Sequence, residues 1–108
     1  MISGYRLMWV LVMFDLPVLT KRQRKAANKF RLSLLDIGFL RCQLSVYAKF
    51  CTSKEQIRIV ERQVRSFLAP GGSVDILTIT DVQFRNIICF QERRNVGEKL
   101  RVQQLELF

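Results

Sequence analysis

The chain has 108 residues, 49% of them apolar, and carries 18 Lys and Arg against nine Asp and Glu for a formal charge of +9. That is one domain with material for a packed core, too apolar to stay disordered, and none of its apolar runs approaches the ~18 residues of a membrane-crossing helix. Histidine is absent, which excludes Ser-His triads, Cys-His pairs, imidazole acid–base catalysis and nearly all transition-metal sites.

In chain order, one Arg precedes a short apolar run that ends without a small-residue cleavage site, so no signal peptide is expected. Residues 7–14, LMWVLVMF, are apolar on both faces, the pattern of a central strand covered on both sides. The run stops at Asp15, with Pro17 close behind. Thr20 to Gln23 spells a capping box, and Ala27, Phe30, Leu34 and Ile37 then recur at helical spacing before Gly38.

Residues 41–50, RCQLSVYAKF, alternate. Cys42, Leu44, Val46, Ala48 and Phe50 share one face, and Arg41, Gln43, Ser45, Tyr47 and Lys49 share the other, as in a half-buried strand with one wet face. A second capping signal, Thr52 to Glu55, opens a helix with the core stripe Ile57, Val60, Val64 and Phe67, ended by Pro70-Gly71-Gly72. Residues 74–80 and 85–91 read as two more strands around a short turn at Asp81.

The expected fold is α+β: a ferredoxin-like βαββαβ, with a four-stranded antiparallel sheet and two helices on one face. Strands one and three are expected at its centre and parallel to each other. The sheet face away from the helices has no cover of its own, and a second copy of the chain is the economical cover. Residues 1–95 form this domain. Residues 96–108 form a tail whose end, Leu105 and Leu107 alternating with Glu106 and Phe108, resembles an edge strand. Such a tail either frays or adds to another chain's sheet.

Three separated cysteines, Cys42, Cys51 and Cys89, with no C-x-x-C, fit reduced thiols and a cytoplasmic location. The basic balance points to nucleic acid first. An anionic membrane is the rival, but basic membrane helices usually carry exposed Trp or Phe on the opposite face. Lys21, Arg22, Arg24, Lys25, Lys29 and Arg31 fall in a stretch without an acid, which suits phosphate contact, as do the free N–H groups of the first helical turn. A second ridge, Lys54, Arg58, Arg62 and Arg65, has Glu55 and Glu61 interspersed and reads better as a solvated face.

Asp15 has two readings. A carboxylate beside a proline is ordinary turn chemistry. A carboxylate at the rim of a sheet is also a metal ligand, and Mg²⁺ is held by one or two such groups with waters and substrate phosphates. Two-fold pairing of the open sheet faces would bring a second Asp15 to the first. Asp81 offers another carboxylate on the same edge if its strand runs parallel to the first, with a turn role as the plainer reading. An RNA-recognition motif should carry an aromatic platform on its central strands, and VDILTIT has no aromatic; the glycines spell no phosphate loop.

The stretches VMFDLPVLTKRQRKAANKFRLSLLDIGF, RCQLSVYAKF and GSVDILTITDVQF together resemble CRISPR-associated protein 2, in the branch found beside single-effector, type II systems. The likeness covers about Tyr5 to Glu92. It implies a ferredoxin-like homodimer in which Asp15 meets its symmetry mate, and a Mg²⁺-dependent endonuclease acting on RNA or DNA with that aspartate as metal ligand. It also implies a CRISPR adaptation role in spacer acquisition: the dimer bridges dimers of the integrase, CRISPR-associated protein 1, and holds duplex DNA. Lys21, Arg22, Arg24 and Lys25 are then the expected backbone contacts, and Gln104 to Phe108 an intersubunit strand in which Leu105, Leu107 and Phe108 meet the partner. The alternative is a stand-alone, toxin-like ribonuclease of the same fold.

Overall fold

The structure, a computed structural model, describes residues 7–90. Within them run β1 (Met8–Asp15), α1 (Lys21–Asp36), β2 (Leu40–Gln43), β3 (Val46–Cys51), α2 (Lys54–Ser66), β4 (Ser73–Thr80) and a short α3 (Asp81–Arg85). The sheet order is β2-β3-β1-β4, with every neighbouring pair antiparallel. This is the ferredoxin-like arrangement. The tail 96–108, with Leu105, Leu107 and Phe108, lies outside the described residues.

The order βαββαβ is reached through different strands from those expected. Residues 41–50 are not one strand: a turn at Leu44 and Ser45 folds them into the β2–β3 hairpin, with an irregularity between Arg41 and Gln43. Residues 85–91 supply no strand within the described chain, because Thr80 starts a helix there. Its hydroxyl accepts from the Gln83 N–H while the Gln83 side chain accepts from the Thr80 N–H, a complete capping box. Nor is any adjacent pair parallel. β1 runs antiparallel to both β3 and β4, so Asp81 lies at the Met8 end of the sheet and Asp15 at the other.

Period-two alternation along β1 divides the core in two. Val10 and Val12 point to the helices and pack with Phe30, Leu34, Val60 and Val64, and with Phe39, Tyr47 and Cys51. Each such side chain contributes about 1.5–3 kcal/mol of transfer free energy. Trp9 and Leu11 point the other way, to Ala48 and Phe84. The face of β3 expected to be wet is therefore dry. Tyr47 is 2% exposed, its ring 5.6 Å from Phe14, and Lys49 turns its ammonium onto the Ile37 carbonyl at 2.6 Å. A hydroxyl and an ammonium at the ends of apolar stems made this face look polar in sequence.

The second face is not bare either. Phe84 of α3 stacks on Trp9 at 4.1 Å, and the Trp9 indole N–H donates to Asp81 at 2.8 Å. The other Asp81 oxygen pairs with Arg85 at 2.9 Å. Asp81 is thus a structural residue with both oxygens engaged. At its end of the face α3 covers Trp9, with Phe50 beside it still 39% exposed; the half at the Asp15 end has no such cover among the described residues.

The cap of α2 sits one residue later than expected, on Ser53, whose hydroxyl accepts from the Gln56 N–H. The α1 box forms as read, with Thr20 accepting from the Gln23 N–H and the Gln23 side chain accepting from the Thr20 and Leu19 N–H groups. After α2, Gly71 and Gly72 take φ of +77° and +69°, open to glycine and costly for other residues. A Cβ on Gly72 would collide with the Asp15 carbonyl.

Burial raises the Cys51 thiol above its ordinary value, opposed in part by the Lys49 charge. The raised value keeps Cys51 a neutral thiol at pH 8, whereas Cys89 is exposed. A thiol reagent at pH 8 is expected to label Cys89 in the native protein and Cys51 only after urea is added. Gly72→Ala is expected to lower unfolding stability by more than about 1 kcal/mol in urea titration.

Candidate functional site

One end of the molecule collects the residues of interest. β1 ends there at Asp15, β4 begins there with Ser73 opposite Asp15, and the β2–β3 turn closes over it through the Phe14 N–H to Ser45 carbonyl bond at 3.0 Å. After a five-residue connection, α1 starts at the same end.

Parity along β1 puts Asp15 on the face of Trp9, Leu11 and Met13, the face away from the helices. It is exposed, in keeping with a charged group ending a buried strand. The register pairs Met13 with Asp75, so Asp75 occupies the same face diagonally from Asp15. Sequence reasoning passed over Asp75 because the fault in strand direction drew attention to Asp81. Strand pairing alone could have found it. Among the described residues no group of three or more acidic, Cys or His side chains gathers to hold a metal. Oxygen donors of this kind suit Mg²⁺, but one chain offers only Asp15 with Asp75 beside it. A full hard-cation site needs donors from a second copy or from a bound phosphate.

On the same face Leu77 of β4, opposite Leu11, is 47% exposed, and in the hairpin turn Leu44 is 67% exposed. The connection to α1 adds Leu19, at 87%. Leu19 is not on a slack loop. Its N–H is held by Gln23, and the Arg24 guanidinium donates to the carbonyls of Val18 and Leu19 at 3.2 and 3.0 Å.

The four cations at the start of α1 therefore divide. Lys21, Arg22 and Lys25 are exposed and make no side-chain bond among the described residues, whereas Arg24 braces the β1–α1 connection. The first turn of α1 holds no acid, unlike those of α2 and α3, which carry Glu55 and Asp81. Positive side chains at the positive end of a helix dipole are unfavourable by about 0.3–1 kcal/mol each. The Lys21 and Arg22 N–H groups also have no partner among the described residues. An anion at this helix start would satisfy both.

A family model for the CRISPR-associated protein Cas2 matches residues 8–87. The chain belongs to the Cas2 family. It is 49% identical to the CRISPR-associated endoribonuclease Cas2 of Paracidovorax avenae, over the whole of both chains. A relative of the same name from Flavobacterium psychrophilum is 40% identical, across 99% of this chain and 93% of its own. The fold also matches a crystal structure of Cas2 with a TM-score of 0.56 over 82% of this chain and 88% of that one, at 22% identity. The role is thus CRISPR-associated, and the relatives carry an endoribonuclease name. No helix among the described residues is long and apolar enough to cross a membrane.

Because Arg24 alone of the four cations is bonded, the variants are expected to separate. Lys21→Gln, Arg22→Gln and Lys25→Gln should leave the melting temperature unchanged or slightly raised. Arg24→Gln should lower stability by about 1 kcal/mol, since two hydrogen bonds are lost. Thermal unfolding of the four single variants checks this, and equal effects at all four positions would remove the bracing role.

Proposed function

We propose that this protein is a CRISPR adaptation subunit: a homodimer closed through the open half of its sheet, which bridges dimers of the integrase CRISPR-associated protein 1 and grips duplex DNA by its backbone. The observation that carries the reading is the first turn of α1, where cations and unpartnered N–H groups crowd together without an acid. Phosphate oxygens are the natural complement of that arrangement, and backbone contact carries no sequence preference.

The same dimer brings two Asp15 carboxylates together on its axis, where they hold Mg²⁺ for cleavage of a phosphodiester in RNA or DNA. The relatives' endoribonuclease name supports this half of the reading. Bound there, the metal supplies Lewis-acid polarisation of a phosphate oxygen and a more acidic water. The chain's own part is to place the carboxylate. Pairing of Asp15 with Ser73 on β4 fixes its backbone, and a side chain on Gly72 would collide with its carbonyl. Lys21, Arg22 and Lys25 orient the strand to be held or cut. With no histidine in the chain, a carboxylate takes up the proton. The tail, through Leu105, Leu107 and Phe108, extends the partner's sheet.

Two assays on wild type and Asp15→Asn test the two halves. Cleavage of RNA and duplex DNA in Mg²⁺ is expected to fall by at least about a hundredfold in the variant, while spacer integration with the integrase persists. Cleavage without any dependence on Asp15 would sink the metal assignment. Cleavage by a monomer, with no contribution to integration, would favour a stand-alone ribonuclease. The log–log salt slope of duplex binding should also drop by about 0.9 for each of Lys21, Arg22 and Lys25 that is neutralised.

A further inference from the structure

The outer face of α2 carries a second line of cations that the α1 interface does not use. Lys54, Arg58, Arg62 and Arg65 recur about once per turn, spread over roughly 16 Å of helix. All four are exposed, on the side away from the buried Val60 and Val64.

The bland account is a solvated face balanced by its own acids. Glu61 stands four residues before Arg65, the favourable order for a helical ion pair, and three after Arg58; Glu55 stands three before Arg58. None of these pairs forms. The single ion pair among the described residues is Arg85 with Asp81. Arg65 has a local use, since a cation suits a helix C-terminus. Arg58 and Arg62, in mid-helix, have none.

Topology adds the second argument. α1 and α2 cover the same face of the sheet. α1 starts at the Asp15 end, and β4, which follows α2, begins opposite Asp15. The C-terminal half of α2, with Arg62 and Arg65, therefore lies at the end where Lys21 and Arg22 stand. Helices packed in one layer lie about 8–10 Å apart, so the two basic helices make a plane about as wide as a duplex. We infer that the Lys54–Arg58–Arg62–Arg65 face of α2 is a second phosphate-backbone contact for duplex nucleic acid, continuing the track begun at α1. The inference rests on the nucleic-acid reading above. An anionic membrane fits less well, because the apolar stripe of α2 is sealed in the core and cannot enter a bilayer.

The test is titration of the full-length protein with a mixed-sequence duplex DNA across a salt series. The variants are the α2 set (Lys54→Gln, Arg58→Gln, Arg62→Gln and Arg65→Gln together) and the α1 set (Lys21→Gln, Arg22→Gln and Lys25→Gln). If all four α2 cations meet phosphates, the log–log slope should become shallower by about 3.6 in the α2 variant. A third variant, Glu55→Gln with Glu61→Gln, moves the other way: it should tighten binding several-fold, which misfolding cannot mimic. A wild-type slope and affinity in the α2 variant, with binding weakened only in the α1 set, would overturn this inference and leave the α1 reading standing. No duplex binding by the wild type would overturn both. Loss of phosphatidylserine-vesicle binding in the α2 variant, with duplex binding unchanged, would reassign the face to a membrane.

Discussion

Everything in this molecule is referred to β1. It is hydrogen-bonded on both edges, to β3 from Met8 to Met13 and to β4 along its whole length. A strand held on both sides cannot slip by one residue without turning Val10 and Val12 out of the helical core and Trp9 into it. That constraint sets the parity of Asp15. It places the carboxylate on the face opposite the helices, and the space beside its carbonyl admits only glycine at position 72.

Charge and apolar surface are segregated as a consequence. The helical layer turns its apolar stripes inward and cations outward, so the basic field is on one side of the sheet. The other side carries Leu77, Asp15 and Asp75, and α3 closes it only at the Trp9 end. A self-association through the open half and a polyanion on the helices therefore compete for no residue. The covering of Trp9 by Phe84 has a further effect. It takes Trp9 out of the surface left for a partner.

Much of this was legible in the sequence, for identifiable reasons. β1 was readable because an apolar run on both faces has few other interpretations, and α1 because its capping residues and its stripe agree. Asp15 ends β1 at the rim of the sheet, and Lys21, Arg22 and Lys25 stand exposed in the first turns of α1 at that end. The hairpin inside 41–50 was not readable: no glycine or Asn-Gly marks it, and the alternation continues through Leu44 and Ser45 as though the strand did. The run 85–91 looked like a strand by composition. The box formed by Thr80 and Gln83 outweighs that propensity, and the burial of Phe84 against Trp9 anchors the result. The direction of β4 follows from pairing, which no local pattern encodes. This error alone displaced Asp81 to the wrong end and hid Asp75.

The start of α1 breaks local rules in a way the rest of the fold does not. α2 and α3 each open with an acid, and each ends with a basic residue in its last turn. α1 has neither, and instead begins with Lys21 and Arg22. Its capping box is complete, so the terminus is well specified, yet the Lys21 and Arg22 N–H groups are left without a partner among the described residues and the electrostatics are left unfavourable. Arg24 sharpens the contrast, since of the four cations at the start of α1 the one engaged within the described residues is the one that stiffens the connection from Asp15. In a sequence otherwise consistent across its levels, a local conflict kept on a rigid support is the feature on which the proposed phosphate contact rests.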